Sequence, residues 1–403
     1  MRPRDLRWNF GAALIDTAGW GVGMGLISPG TILPVFVGHL SQSPLYVGLI
    51  QAVQLFGWLV PGVLVSGWVE RLPRVKFSVI WIAALERSML LLLVPLCLWL
   101  GPAHRTALLA AFFACWFVMN AAVGANTPGY YKLIAKTIPA QLRGRLYGIG
   151  GALSGVVGVP VAGLLAAWFL GGWGFPAGYA ACFFTAAVVQ ALTVAPLAFM
   201  REPVQPEHAA PEPMRPAQVL RLARRDSRLL WVSGAVALFS LNTMAGAFYT
   251  VYAVERFHAA DAAVAGFTAV VMGARVIAFL LAGWLGDRHG NRAALVAATL
   301  AGVAAAALAA WAPALGWLYV VFTLNEIAVQ GWGVCSMNYV LELCPPERSS
   351  SYTAVFGLLT GPLRVLAPLL GGWMAGGVGY APVFGLAALG AALALLLLLA
   401  RLP

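Results

Sequence analysis

A few charged side chains of this sequence lie deep inside long apolar segments. Glu326 and Arg364 each lie near the middle of such a segment, and Asp16 lies about two turns into the first one. Charge inside a bilayer is costly, so ionisable residues there face a cavity or each other and often mark the path of an ion or substrate. A carboxylate removed from water favours its neutral, protonated form. We predict Glu326 as the first candidate proton site and Asp16 as the second.

Arg364 has two interpretations. It is either the countercharge of Glu326 or an anchor for an anionic substrate. The alternative to any role in transport is a static Glu326–Arg364 pair that only locks two helices together. Polar amides are unfavourable against lipid and should also face protein or water. Further candidates for a cavity wall are therefore Asn120, Asn242, Asn325 and Gln330, with Asn126 and Trp20.

The elements that position these residues follow from composition. The chain has 403 residues, of which 61% are hydrophobic and only 10% charged, whereas a soluble domain has about 25% charged residues. This excludes a soluble globule and a disordered chain, and the long apolar runs predict membrane-spanning helices of about 20 residues. Twelve spans are predicted, at 8–38, 45–66, 77–100, 106–130, 145–170, 178–200, 229–254, 262–283, 293–312, 315–340, 352–375 and 379–400.

The net charge of +11 reports topology rather than nucleic-acid binding. On this map, 20 of the 25 Lys and Arg residues fall at the two termini and in alternate loops. This positive-inside asymmetry predicts that both termini are cytoplasmic. The five cysteines and five histidines are dispersed, which predicts no metal site, and no catalytic or phosphate-binding motif indicates an enzyme. Residues 1–8 are basic, but the apolar segment after them is far longer than that of a cleavable signal peptide.

A proline-rich polar segment, residues 201–228, divides the chain into a bundle at 1–200 and a bundle at 229–403. Its first half predicts an extended linker. Its second half, 217–228, is either a basic amphipathic helix lying on the membrane or a solvated connection.

The two halves also look like repeats, which is typical of one transporter architecture. The segment after span 8 carries Gly283, Asp287, Arg288, Gly290 and Arg292, and a degenerate copy follows span 2. These residues resemble the loop signature G-x-L-a-D-[RK]-x-G-x-[RK] of the major facilitator superfamily. The resemblance implies an all-α polytopic membrane protein with two six-helix bundles related by pseudo-two-fold symmetry.

By this resemblance the loop residues are gating elements. Asp287 would lie against a neighbouring helix N-terminus and pair with Arg143 or Arg145, and Glu70 and Arg71 would do the same in the other half. The alternative is a tight turn flanked by charges that only set topology.

Span 5 contains Gly155, Pro160 and Gly163, which match part of the superfamily's antiporter signature. Ordinary packing of small residues is the alternative. The resemblance further implies that spans 1, 4, 7 and 10 line the cavity, so that Asp16 and Glu326 face it whereas Glu86 and Arg87, on span 3, do not. We expect Glu86, beside Arg87, to form structural pairs or to reach a neighbouring helix. Asn120 stands where many proton-coupled members carry arginine.

The function expected from these observations is secondary active transport of a small organic or amphipathic solute by alternating access, as proton-linked efflux. The alternatives are metabolite uptake or facilitated diffusion, and movement of lipids or other amphiphiles between leaflets. We expect a monomer in the bacterial inner membrane that is driven by the proton gradient, without a bound cofactor, and whose partners are its solute and the lipid bilayer.

Overall fold

The computed structural model describes residues 3–101, 103–204, 226–343 and 349–401. Within these ranges the chain is helical nearly throughout and contains no strand. The helices are α1 (Pro3–Leu26), α2 (Ile32–Leu40), α3 (Pro44–Arg71), α4 (Lys76–Leu100), α5 (Arg105–Thr137), α6 (Ala140–Leu153), a π-helical turn (Ser154–Gly158), α7 (Val159–Trp173), α8 (Ala177–Val194), a 3₁₀ turn (Ala195–Phe199), α9 (Ser227–Gly246), α10 (Tyr249–Phe257), α11 (Asp261–His289), α12 (Asn291–Trp311), α13 (Gly316–Leu343), α14 (Ser349–Val378) and α15 (Tyr380–Ala400).

The predicted membrane spans are found in this order. In the described part of the chain, ten helical segments are long and apolar enough to cross a membrane, with α9 and α10 together forming one of them. The remaining two predicted spans, the first and the fifth, are interrupted. The first is not the continuous helix that we predicted over 8–38: it breaks into α1 and α2 at residues 27–31, because Pro29 lacks an N–H and restricts the residue before it. The fifth is interrupted by the π-helical turn.

The chain forms two compact units. The first comprises Met1–Gln42, Val53–Pro211 and Ala260–Met272, and the second comprises Ser43–Ala52, Glu212–Ala259 and Gly273–Pro403. The beginning of α3 thus belongs to the second unit and the beginning of α11 to the first. The division predicted at 1–200, 201–228 and 229–403 stays a prediction, since residues 205–225, including most of the proposed amphipathic helix, lie outside the described ranges.

The first unit has an aromatic core. The Phe36 ring of α2 lies 5.2 Å from Phe112, 5.2 Å from Tyr179 and 5.4 Å from Phe183, measured between ring centroids. Edge contacts of this kind stabilise aromatic pairs beyond the burial of their area. They hold α2, α5 and α8 together.

The second unit is organised around a stacked pair. The Phe239 ring of α9 and the Trp332 ring of α13 are 4.7 Å apart, and the Trp332 indole N–H donates to the Thr299 hydroxyl of α12 at 3.0 Å. At the start of α9, Asp226 caps the helix by accepting from the backbone N–H groups of Arg228 and Leu229. These contacts fix α9 and α13, the helices that carry the amide candidates Asn242, Asn325 and Gln330.

At the loop end of the first unit, the Glu202 carboxylate holds three groups together. It accepts from the backbone N–H groups of Val75 and Lys76, both at 2.9 Å, and pairs with the Lys136 ammonium at 2.9 Å. The Glu202 and Lys136 side chains are buried. An anion at a helix N-terminus is favourable, and the cluster ties the segment after α8 to the start of α4 and the end of α5.

Candidate functional site

The first unit contains a cavity of about 450 Å³ between α1, α3, α4, α5, α6 and the end of α8. Its wall carries three ionisable residues in an otherwise largely aromatic and aliphatic lining. The lining includes Asp16, Thr17, Trp20, Trp58, Glu86, Arg87, Asn126, Tyr130, Tyr131 and Tyr147. A mostly apolar cavity with a few convergent polar groups is the usual form of a small-molecule site.

Arg87 organises the charged part of the wall. Its guanidinium donates to the Glu86 carboxylate at 3.1 Å, to the Ala83 carbonyl at 2.9 Å and to the Gln190 carbonyl at 3.1 Å. The three acceptors come from α4 and α8, so three hydrogen bonds fix the guanidinium. Within the described residues, the second oxygen of Glu86 is buried without a hydrogen-bond partner.

Asp16, on α1, joins this cluster. Its carboxylate lines the same cavity as Glu86, Arg87 and Tyr130 of α5 and lies within electrostatic range of the two charged side chains. The Thr17 hydroxyl lies 3.3 Å from the Tyr130 hydroxyl oxygen. Asp16, Glu86 and Arg87 are each no more than 8% exposed.

The cluster therefore has two carboxylates and one guanidinium in a buried environment. When both acids are ionised, one negative charge remains uncompensated, which is costly away from water. A proton on either acid removes that charge. The arrangement can bind and release a proton, and the cavity beside it can admit a solute.

The second unit places Glu326 in a different setting. Its carboxylate accepts from the Arg275 guanidinium at 3.1 and 3.4 Å and from the Gln330 side-chain amide at 2.9 Å. Of the two interpretations of Arg364, the one that makes it the countercharge of Glu326 was wrong, because Arg275 of α11 pairs with that carboxylate. The pair is neutral as it stands, with Glu326 buried and the Arg275 side chain 42% exposed.

The amide candidates differ in their surroundings. Asn126 lines the cavity of the first unit. Asn120 instead lies where α5 packs closely on α3, since a Cβ added to Gly57 would lie only 2.7 Å from the Cβ of Asn120. The Asn120 amide donates to the Trp116 carbonyl at 2.7 Å. In the second unit, Asn242 is buried with both side-chain polar atoms unpaired among the described residues, and Asn325 is buried with its oxygen unpaired.

The loop-signature residues take up definite positions. Gly290 has a φ of +85°, which requires glycine at the turn between α11 and α12. The Arg292 guanidinium donates to the Leu398 and Leu399 carbonyls at the end of α15, at 3.1 and 3.2 Å. Arg288 lies over the Trp284 ring, and Asp287 and Gly283 are exposed. These positions suit a structured turn, and a gating role stays a prediction.

The predicted partners in the first unit are also located. Arg143 donates to the Ala135 and Ile138 carbonyls and so caps the end of α5, whereas Arg145 and Arg71 are exposed. The side chain of Glu70 lies outside the described residues. Pairing of Asp287 with Arg143 or Arg145 stays a prediction.

Small residues of the fifth span pack closely, as expected for either interpretation of the motif. A Cβ at Gly163 would lie 3.1 Å from the Cβ of Ala269 in α11. Gly155 lies inside the π-helical turn, a feature that is frequent at functional sites. The side chain of Pro160 lies outside the described residues.

Sequence reasoning missed part of this site. We expected Glu86 and Arg87 to lie away from the cavity and to form structural pairs or reach a neighbouring helix. They pair with each other, but both line the cavity of the first unit with Asp16. The available signal was the Glu-Arg dipeptide inside an apolar span, since ionisable residues there indicate a functional site. Tyr130 carried no comparable signal, because one aromatic hydroxyl among many cannot be assigned a partner from sequence.

A family model described as Major Facilitator Superfamily matches residues 15–361 and 243–403. The chain belongs to the major facilitator superfamily. It is therefore a multi-pass membrane transporter rather than an enzyme, and its all-helical twelve-span fold is confirmed. Among curated protein sequences, none matches this chain.

Solved structures share the fold at low sequence identity. A point mutant of the nucleoside transporter NupG has a TM-score of 0.72 and 12% identity, covering 99% of this chain and 100% of its own. A bacterial homologue of the iron transporter ferroportin in the inward-facing state has a TM-score of 0.71 and 14% identity, with coverages of 99% and 98%. A D-xylose–proton symporter has a TM-score of 0.67 and 16% identity, with coverages of 99% and 97%. These likenesses concern the fold alone.

Proposed function

We propose that this superfamily transporter exports a small organic or amphipathic solute by alternating access in exchange for protons, which bind at the Asp16–Glu86 pair. The observation that carries this proposal is the surplus carboxylate: Arg87 can balance one of the two acids but not both. Glu326 is the weaker candidate because its charge is already balanced by Arg275. The proton is therefore assigned to the first unit.

The solute would bind beside the proton site. The cavity of about 450 Å³ is walled by Trp20, Trp58, Tyr131 and Tyr147, and aromatic side chains of this kind suit an apolar or amphipathic solute. A solute in this cavity would lie against the carboxylates, so that protonation and solute binding would influence each other. Export rather than uptake is supported by the partial antiporter signature at Gly155, Pro160 and Gly163. We place the protein as a monomer in the bacterial inner membrane, with cytoplasmic termini.

The test uses purified protein in vesicles that contain a pH-sensitive dye. A compound library is first screened for solutes that raise the thermal unfolding midpoint, and the best of these is then added to the vesicles. We expect solute-dependent proton movement in the wild type and in Glu326→Gln, and its loss in Asp16→Asn and Glu86→Gln. Proton movement that persists in both first-unit variants would contradict the assignment, and loss only in Glu326→Gln would return the proton site to the second unit.

The same vesicles examine the rival functions. Proton movement in the direction of the solute would indicate uptake by symport, and solute movement without protons would indicate a facilitative carrier. Equilibration of a fluorescent phospholipid between leaflets, faster than in protein-free vesicles, would indicate a lipid translocator.

A further inference from the structure

A positively charged groove lies at the end of the first unit where α1 begins and the chain leaves α8. It has a volume of about 380 Å³ and is lined by Arg4, Asp5, Arg7, Trp8 and Arg201. The Arg201 guanidinium pairs with the Asp5 carboxylate. Arg4 and Arg7 are exposed and are paired with no carboxylate among the described residues. Three guanidiniums and one carboxylate give the groove a net charge of +2.

Hydrogen bonds hold the two segments of this groove together. Asn9 is buried; its side-chain amide donates to the Arg201 carbonyl at 3.2 Å, and its side-chain oxygen accepts from the Arg201 backbone N–H at 2.9 Å. The Trp8 indole N–H donates to the Phe199 carbonyl at 3.1 Å. The backbone that carries the arginines is therefore fixed before a ligand arrives, which lowers the entropy cost of binding.

The groove lies at the edge of the bilayer. The apolar span that contains α8 is Ala177–Phe199, so Arg201 is two residues beyond its end. Trp8 and Phe199, which are joined by the indole hydrogen bond, both have exposed aromatic side chains. Tryptophan is enriched at membrane–water interfaces, where its ring lies at the level of the lipid headgroups. The guanidiniums therefore lie at the depth of lipid phosphates, with exposed aromatic rings beside them.

We propose that this groove binds an anionic phospholipid of the surrounding membrane. The lipid phosphate accepts hydrogen bonds from Arg4 and Arg7, and its glycerol and first chain carbons lie against Trp8 and Phe199. The net charge of +2 favours an anionic headgroup, because the ammonium of a zwitterionic lipid would bring a positive charge into the groove. The site goes beyond the proposed transport function, since none of its lining residues lines the cavity of the first unit.

The experiment measures thermal unfolding in micelles of an uncharged detergent with three probes: a short-chain phosphatidylglycerol, the phosphatidylcholine with the same chains, and glycerol phosphate. The described cysteines are buried, so a thiol-reactive dye reports unfolding. A ligand that binds the folded protein raises the midpoint, and we expect phosphatidylglycerol to raise it while the other two probes leave it nearly unchanged. In Arg4→Gln/Arg7→Gln the apparent affinity for phosphatidylglycerol should fall by about fivefold for each arginine, or about 25-fold for both.

The matched control is Arg74→Gln/Arg105→Gln, which removes the same charge from two exposed arginines that do not line the groove and should respond as the wild type does. An equal loss of response in this control would show that the lipid acts through overall charge and would overturn the proposal. No stabilisation of the wild type by phosphatidylglycerol, or equal stabilisation of the wild type and Arg4→Gln/Arg7→Gln, would also overturn it. Stabilisation by phosphatidylcholine or glycerol phosphate as large as that by phosphatidylglycerol would overturn the assignment to an anionic lipid. If the double variant does not fold, Arg4→Gln and Arg7→Gln take its place, each with a loss of about fivefold.

Discussion

The charge balance around Arg87 predicts a large loss of stability when this residue is replaced while the buried acids Glu86 and Asp16 remain. Arg87→Met removes hydrogen bonds to Glu86 and to the Ala83 and Gln190 carbonyls and leaves Glu86 and Asp16 buried without a cation. Removing one partner of a buried ion pair costs about 3–5 kcal/mol. We expect the free energy of unfolding to fall by that amount, because all three charged side chains are nearly inaccessible to water.

Part of this loss should be recovered when one of the two stranded carboxylates is also removed. Glu86→Gln alone should cost about 1–3 kcal/mol, since it weakens the bond to Arg87 but leaves that cation to balance Asp16. In the double variant Arg87→Met/Glu86→Gln, only one carboxylate remains, so we expect a coupling energy of about 1.5–3 kcal/mol between the two sites.

The measurement is denaturant-induced unfolding in detergent micelles for the wild type, both single variants and the double variant. Arg105→Met, an exposed substitution in the same unit, is the control and should change stability by less than about 0.5 kcal/mol. Single effects that add to within about 0.5 kcal/mol would refute the charge-balance argument. The loss in Arg87→Met should also be smaller at about pH 5 than at about pH 8, because protonation neutralises the stranded acids.

Two further substitutions test packing and capping in the first unit. Glu202→Gln should lower the free energy of unfolding by about 1.5–3 kcal/mol, because the charged acceptor of the α4 backbone N–H groups and of Lys136 is lost; an unchanged denaturation midpoint would contradict the cluster's structural role. Gly21→Leu should destabilise by about 1–3 kcal/mol, because a Cβ there would lie 2.8 Å from the Ser154 Cβ, whereas Gly11→Leu, at a position with open space, should leave the midpoint nearly unchanged.

The membrane spans could be predicted because their signal is coarse. About 20 apolar residues are needed to cross a bilayer, and nothing else in the chain produces that pattern. The interruption at Pro29 was missed because an apolar run hides a short break, and prolines within other helices, such as Pro61 in α3 and Pro95 in α4, do not end them. Apolar content therefore determines where a span lies but not whether its helix is continuous.

The candidate site was harder to predict because it depends on pairing between helices. Arg275 and Arg364 are both mid-span arginines, and only the packing of α11 against α13 decides that Arg275 reaches Glu326. Glu86 and Arg87 were expected to form structural pairs or to reach a neighbouring helix, but their relation to Asp16 depends on α1 and α4 facing one cavity. Residue type and depth can be read from sequence, whereas the partner of each charge needs the rotation of every helix about its axis.

The proposed proton exchange makes a prediction about membrane voltage. Exchange of one inward proton at Asp16–Glu86 for one outward uncharged solute would move one positive charge inward in each cycle. A potential of 100 mV changes the free energy of moving one elementary charge across the membrane by about 2.3 kcal/mol, so an inside-negative potential should accelerate solute export from vesicles. Facilitated diffusion of the same solute carries no net charge and would be insensitive to the potential. Export of an uncharged solute that does not respond to an imposed potential would therefore contradict proton exchange.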